Sequence, residues 1–160
     1  ARGARCTSIH DQDIALLAEQ ASKALDIDYC GVDIIRDADG KLWVSSYFGL
    51  CNYDGTKWKG YFDHDSGLAS NFINFIRAEG RVAFMCTDKG LSSSDGTNWV
   101  TYKKNDNNAD GKAIITTNGV KKEIPLSPSI SHNFIIGVDA DKDFIWVATS
   151  SGVSRGELLK

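Results

Sequence analysis

The 160-residue sequence contains no run of 18 apolar residues, so we expect no helix that spans a membrane. Residues 1–5 are not followed by an apolar stretch, so we also expect no signal peptide in this chain. There is no excess of basic residues either, because 18 Lys and Arg stand against 21 Asp and Glu. This charge balance gives no long-range attraction to nucleic acid, and we expect no nucleic-acid partner.

Paired cysteine motifs and the common catalytic signatures are also absent. The four cysteines, Cys6, Cys30, Cys51 and Cys86, form no Cys-x-x-Cys pair, so a zinc ribbon, a thioredoxin-type redox pair and an attached haem are not indicated. No Gly-x-Ser-x-Gly, Walker loop or His-Glu-x-x-His occurs. We therefore predict no catalytic residues, no metal site and no cofactor, and we expect the cysteines to be small buried side chains.

What the sequence does contain is an internal repeat. Residues 49–61 return 41 positions later as residues 90–102, and both segments share Gly-Leu, Asp-Gly-Thr and Trp-x-x-Tyr in the same register. A third copy is offset by 62 residues from the second, so that residues 71–73 match residues 133–135. A period of about 40 residues with short apolar runs is typical of β-propeller blades, since one small sheet cannot bury both of its faces. We predict an all-β fold of three four-stranded antiparallel blades in an incomplete ring, with one N-terminal helix.

The repeat divides the chain into an N-terminal segment and a blade region. Residues 1–29 hold the predicted helix, from Asp13 to Leu25, in which apolar residues recur at helical spacing. Residues 30–160 hold the three repeats, at about 30–66, 67–104 and 128–160. The shared register predicts that three aromatic residues at equivalent positions are buried between blades: Trp43, Phe84 and Trp146.

An insertion separates the second repeat from the third. Two runs with strand character flank Asn118-Gly119, a pair that favours the tight turn of a β-hairpin. Residues 105–127 are therefore predicted to form a hairpin. Because loops on a rigid scaffold often carry function, the hairpin is a candidate binding surface, and a solvated decoration without a function is an equal alternative.

Specific residues of the repeat support a family resemblance over about residues 30–104 and 128–156. They are Leu42-Trp43-Val44, Gly49-Leu50, Tyr53-Asp54-Gly55 and the set Leu68, Ser70, Asn71 and Ile73. Together they resemble the two-component-regulator propeller repeat, which occurs in sensor ectodomains and secreted proteins. The resemblance implies a scaffold in the periplasm or outside the cell. Three repeats are too few for a ring of about four or more blades, so we expect a protein partner or a homo-oligomer to complete the propeller.

The N-terminal third carries a second resemblance. Residues 1–5, the helix from Asp13 to Leu25, and residues 27–35 followed by Asp39-Gly40 are similar to the last lobe of ATP-grasp ligases. In that family the next strand carries a Glu-x-Asn that holds Mg²⁺ on the ATP phosphates through oxygen ligands. This chain has residues 44–47, Val-Ser-Ser-Tyr, at that place, so the carboxylate is missing.

Two classes of function follow from these patterns. The first is a non-catalytic β-propeller interaction module that binds a protein partner or a small ligand as part of a larger assembly or sensor. The second is an enzyme, either a degenerate ATP-grasp-type ligase fragment or a propeller lyase or hydrolase with an acidic site on a loop. The candidate binding residues lie on the loop that ends the first repeat and on the inserted hairpin: Asp63, His64, Asp65, Asn118, Lys121 and Lys122.

Overall fold

The structure is a computed structural model that describes residues 12–28, 31–141 and 143–157. The described part of the chain contains one helix, α1 (Gln12–Ala24), close to its predicted bounds, and thirteen strands. The strands are β1 (Asp33–Arg36), β2 (Leu42–Ser46), β3 (Gly49–Tyr53), β4 (Trp58–Tyr61), β5 (Ile73–Glu79), β6 (Val82–Thr87), β7 (Gly90–Ser94), β8 (Asn98–Lys104), β9 (Gly111–Thr117), β10 (Val120–Leu126), β11 (Ile135–Ala140), β12 (Phe144–Thr149) and β13 (Gly152–Glu157).

The strands form three antiparallel sheets, and within each sheet they follow one another in chain order. The first sheet has the order β1-β2-β3-β4, the second sheet runs from β5 to β10, and the third sheet has the order β11-β12-β13. This order results from short hairpin turns, which join neighbouring strands and allow only antiparallel pairing. The prediction of an all-β, antiparallel fold with one N-terminal helix is confirmed.

The predicted four strands per repeat are present in the first repeat, as β1–β4, and in the second repeat, as β5–β8, within the described part of the chain. The second sheet has six strands, because the hairpin of β9 and β10 pairs with the edge strand β8 along its whole length. The third sheet has three strands among the residues described up to 157. The inserted hairpin is therefore an extension of the second sheet.

An Asp-Gly pair lies in the turn between β3 and β4, and an Asn-Gly pair forms the turn between β9 and β10. Asp54 Oδ1 accepts hydrogen bonds from the backbone N–H groups of Thr56 and Lys57 and from the Thr56 hydroxyl. These bonds, led by that of the Thr56 side chain, lower the pKa of Asp54 to about 2. In the hairpin, Asn118 and Gly119 both have positive φ angles, of 50° and 78°. Positive φ at both central residues is the geometry that favours Asn-Gly in a two-residue loop.

Two hydrophobic clusters lie between the sheets. The first cluster joins Trp43, Leu50 and Tyr61 of the first sheet to Leu68 and to Ile73, Ile76, Ala83, Met85 and Trp99 of the second sheet. The second cluster joins Phe84, Cys86 and Leu91 of the second sheet to Ile130 and to Ile135, Val138, Ala140, Ile145 and Val147 of the third sheet. The second sheet is thus packed on both faces, and β5 lies against both β1 and β11. The three sheets form a stack in chain order.

Helix α1 covers the other face of the first sheet. Ala21 of the helix and Leu25 just after it pack against Val44 and Cys51 in a third cluster. Cys51 and Cys86 are both buried, as the sequence predicts, whereas Cys6 and Cys30 lie outside the described residues. Among the described helical residues, no segment is long and apolar enough to cross a membrane.

The exposure of Trp146 differs from the prediction that it is buried like Trp43 and Phe84. Trp43 and Phe84 are buried, with exposed fractions of 0 % and 4 %, but Trp146 is 47 % exposed. Its neighbours in β12, Ile145 and Val147, point toward the second sheet, so Trp146 points away from it. The prediction was wrong because it assumed that a further sheet covers this face, and the described residues supply none.

Candidate functional site

A cleft opens at the outer rim between the first and second sheets. Its walls are β4, the loop after β4, the turn between β7 and β8, and the hairpin of β9 and β10. The cleft exists because the second sheet continues past β8, so its last two strands project beyond β4, the edge strand of the first sheet. We call it the rim cleft; its volume is about 290 Å³ and its lining includes Lys59, Tyr61, Asp65, Thr97, Trp99, Thr116 and Asn118.

Two aromatic rings form the floor of the rim cleft. The rings of Tyr61 and Trp99 meet edge to face, with centroids 5.1 Å apart, and both side chains are buried. The hydroxyl of Tyr61 donates a hydrogen bond of 3.1 Å to the carbonyl of Gly96. Burial raises the pKa of Tyr61, and the negative charges of Asp95 and Asp54 act in the same direction. Tyr61 is therefore a neutral donor at neutral pH.

Close packing fixes the position of Trp99. A Cβ atom on Gly67 would collide with the Trp99 side chain, so glycine is needed there for the loop after β4 to pass over the indole. The same loop is held by the Thr101 hydroxyl, which donates to the carbonyl of Gly67. The floor of the cleft is thus a rigid part of the core between the sheets.

The walls carry polar groups of several kinds. Lys59 Nζ lies 4.8 Å from the centroid of the Tyr61 ring, within range of a cation–π interaction. Asp65 Oδ1 accepts a hydrogen bond of 2.8 Å from the backbone N–H of Phe62, which fixes the carboxylate on its loop. Thr116 pairs in register with Trp99, and its Oγ1 is buried without a hydrogen-bond partner among the described residues. The cleft therefore presents an ammonium group and a carboxylate, whereas the Thr116 hydroxyl is buried in its wall.

The structure brings together two of the six candidate residues predicted from the sequence. Asp65, from the loop that ends the first repeat, and Asn118, from the inserted hairpin, line the same cleft. Lys121 pairs in register with Thr116 and so lies on the same face of the sheet, beside the cleft. Lys122 pairs with Ile115 and lies on the opposite face.

Asp63 and His64 lie outside the lining of the rim cleft. The His64 ring is stacked on Phe62 with centroids 5.5 Å apart, and its Nδ1 is 3.8 Å from Asp63 Oδ1. The side chain of His64 is exposed, and the backbone N–H of Asp63 donates to Asn71 Oδ1 at 2.9 Å. These contacts hold the local shape of the loop that carries Asp65.

Sequence reasoning missed the remaining residues of the cleft. The sequence pattern places Lys59 and Tyr61 in a blade strand and Thr116 in a strand of the hairpin, and it predicts no contact between the two strands. The signal that could have joined them is the register of the hairpin on β8, in which Trp99 lies opposite Thr116. That pairing joins neighbouring strands, but the contact of Trp99 with Tyr61 joins two different sheets and is not encoded in the local pattern.

The strand that would carry the ATP-grasp magnesium ligands is β2. Its residues are all buried, including Ser45 and Ser46. Ser46 Oγ donates to the carbonyl of Gly49 and accepts from the backbone N–H of Phe48, so it holds the turn between β2 and β3. Among the described residues, no three His, Cys, Asp or Glu side chains gather into a group that could hold a metal ion.

Comparison with known proteins adds no family assignment. No protein-family model matches the chain, and no curated protein sequence matches it.

Proposed function

We propose that this chain is a non-catalytic interaction module built from three β-propeller-type blades. The stack of consecutive sheets supports a blade arrangement, because the second sheet is packed on both faces and β5 lies between β1 and β11. Aromatic residues at equivalent repeat positions also point in the same direction along the stack. Trp43 packs against the second sheet, and Phe84 packs against the third sheet. This is the neighbour-on-neighbour packing by which repeat proteins bury their cores.

The observation that carries the binding role is the rim cleft. Asp65 and Asn118 come from segments more than fifty residues apart, and both line the cleft over the buried pair of Tyr61 and Trp99. Concave sites with a few convergent polar groups above an aromatic floor are typical of small-ligand binding. Because Lys59 and Asp65 supply opposite charges, we propose a small zwitterionic ligand of the amino-acid class.

This binding can be tested by titration of the ¹⁵N-labelled protein, monitored by NMR. L-serine is the zwitterionic probe, and D-glucose is a neutral probe of comparable polarity. We expect L-serine to shift the amide signals of the cleft residues, and Asp65→Asn to weaken this binding by about tenfold, since a charge-assisted bond is lost. Asp63→Asn is the matched control, because Asp63 is on the same loop outside the cleft. Binding that is unaffected by Asp65→Asn, or no shifts with either probe, would overturn the proposal.

We further propose that the module acts within a larger assembly, with a protein partner or further copies of the chain completing the propeller. Apolar side chains on the outer face of the third sheet support this, because Ile136, Trp146 and Val153 are exposed there. The family resemblance supports a periplasmic or extracellular location. Sedimentation at micromolar concentration tests the assembly alone and with candidate partners. If the chain sediments as a stable monomer of 17.5 kDa both alone and in every mixture with a candidate partner, the assembly proposal is contradicted.

A further inference from the structure

The second sheet carries lysine side chains on the face that continues beyond the first sheet. Lys103 of β8 and Lys112 of β9 lie directly opposite each other in the strand register. Lys103 is four positions after Trp99 on the same strand, so it shares the face that is turned toward the first sheet. Like charges directly opposite each other on neighbouring strands are destabilising, so this pair opposes the folded state.

Two further lysines lie close to this pair. Lys121 of β10 is opposite Thr116 and lies on the same face of the sheet. Lys89 is in the turn between β6 and β7, and the Cγ atom of Lys103 lies 3.2 Å from the place of a Cβ on the neighbouring Gly90. We call these four residues the lysine cluster: Lys89, Lys103, Lys112 and Lys121.

The ammonium groups of the lysine cluster act on one another. Burial lowers the pKa of Lys103, and the positive charges of the other three lysines lower it further. The negative charge of Asp63 acts in the opposite direction. Four positive charges therefore lie close enough together to repel one another, although the net charge of the chain is −3.

Negative groups of the chain offset only part of this positive charge. Lys112 Nζ forms an ion pair of 2.8 Å with Glu123 Oε1. In the described ranges, the ammonium groups of the other three lysines form no ion pair. The lysine cluster thus retains positive charge that an anion from outside the chain can neutralise.

The number of ammonium groups favours a phosphate group over a carboxylate. A phosphate monoester carries about 1.5 to 2 negative charges at neutral pH and three strong acceptor oxygens, so several ammonium groups can bind it at once. Lysine binds phosphate as a point charge on a flexible stem, without the planar fork with which arginine matches a carboxylate.

We propose that the lysine cluster binds a phosphate group, either as the free ion or as the monoester of a small molecule. Lys103 is its centre, because β8 lies between β7, which begins next to Lys89, and β9, which carries Lys112. The bound phosphate offsets the repulsion within the cluster. The site is a different surface from the rim cleft, and the proposal does not depend on amino-acid binding there.

The test is a titration of the ¹⁵N-labelled full chain with sodium phosphate at pH 7.5, monitored by NMR, with sodium chloride at matched ionic strength as the blank. We expect phosphate to shift the amide signals of Lys89, Lys103 and Lys112, with a dissociation constant of about 1 mM or below. Shifts that sodium chloride reproduces, or no shifts at these residues, would overturn the proposal.

The source of the phosphate group is distinguished by a second probe, O-phospho-L-serine. If it binds at least about tenfold more tightly than inorganic phosphate, the site is assigned to the monoester of a small molecule. Equal affinity of the two probes assigns the site to the phosphate ion. Loss of L-serine binding at the rim cleft with retained phosphate binding would overturn only the amino-acid proposal, because the two sets of amide signals report separate surfaces.

Variants of the protein locate the site. Lys103→Met removes the central charge but keeps the length of the stem, and it should weaken phosphate binding by at least about fivefold, whereas Lys103→Arg should stay within about twofold of the original affinity. Lys122→Met is the matched control, because Lys122 lies on the opposite face of β10 and its loss changes the net charge equally. Equal weakening by Lys103→Met and Lys122→Met would indicate a general ionic attraction and contradict a site.

Stability gives a readout that does not depend on the NMR assignment. Without phosphate, Lys103→Met should unfold at a higher urea concentration than the original chain, because a like-charge pair is lost. In excess phosphate the original chain should gain more stability than Lys103→Met, since only a ligand of the folded state raises it through binding. Equal gains for the two proteins would show that phosphate acts through the solvent and not at the lysine cluster.

Discussion

The indole Nε1 of Trp43 donates a hydrogen bond of 3.0 Å to Oδ2 of Asp37, and both residues are buried. The other carboxylate oxygen, Oδ1, accepts backbone hydrogen bonds from Asp39 and Lys41. One carboxylate therefore closes the turn between β1 and β2 and also satisfies the polar atom of a tryptophan in the core between the first and second sheets.

Asp37→Ala should destabilise the fold by about 2–3 kcal/mol, because it leaves the indole N–H of Trp43 buried without a partner. The turn also loses its two side-chain bonds. Asp39→Ala is the matched control, since Asp39 lies in the same turn and forms an exposed ion pair of 2.9 Å with Arg81; its loss should cost less than about 1 kcal/mol. Urea unfolding of both variants measures the difference. Equal losses would show that Asp37 has no special role.

Trp99 and Trp146 should respond very differently to truncation. Trp99→Ala removes a buried ring from the core between two sheets, and we expect a loss of about 3–5 kcal/mol. Trp146→Ala removes a half-exposed ring that lies 5.7 Å from the guanidinium of Arg155, and we expect less than about 1 kcal/mol. Thermal and urea unfolding give both values. A large loss for Trp146→Ala would indicate that a partner or a further sheet covers it in solution.

The aromatic residues at equivalent repeat positions show how far the sequence determines the fold. The repeat register predicted the antiparallel sheets and the burial of Trp43 and Phe84, because short strands and tight turns are local signals. It failed at Trp146, since burial there depends on a neighbour that the register alone does not supply. The same limit applies to strand number, where the pattern favoured four strands and the third sheet has three described ones.

The rim cleft was only partly predictable for a related reason. Asn118-Gly119 is a local turn signal, and the structure places the turn of the inserted hairpin there. The hairpin pairs with its neighbour β8 and so brings Thr116 opposite Trp99, but the packing of Trp99 against Tyr61 of the first sheet is a non-local contact. Sequence reasoning therefore found Asp65 and Asn118 separately, but it could not place them in one cleft.

Cys86 gives a prediction about pH. Burial raises the pKa of the Cys86 thiol from its ordinary value of 9.0 to about 12. The unfolded thiol loses its proton above pH 9 while the folded thiol keeps it, so this stabilising contribution is complete below pH 9 and is lost as the pH rises toward 12. The expected slope is at most about 1.4 kcal/mol per pH unit. Tyr61 and Tyr102, whose pKa values are also raised by burial, act in the same direction at higher pH.

The measurement for Cys86 is urea unfolding between pH 8 and pH 11, compared with Cys86→Ala. Alanine has no proton to lose, so the variant should be less stable at pH 8 but should lose less stability as the pH rises. Parallel pH profiles for the two proteins would show that the thiol does not control this dependence.

The last prediction is that the chain does not bind Mg²⁺-ATP as an ATP-grasp ligase does. Magnesium on the ATP phosphates needs oxygen ligands, and a carboxylate offsets its charge far better than a neutral hydroxyl. At the position where the resemblance places that carboxylate, Ser45 and Ser46 are buried in β2, and Ser46 is already engaged in the turn to β3. Isothermal titration with Mg²⁺-ATP, with Mg²⁺ alone as the blank, should show weak binding or none. A dissociation constant in the micromolar range or below would contradict this, because it would require β2 to leave the sheet or other groups of the chain to hold the metal.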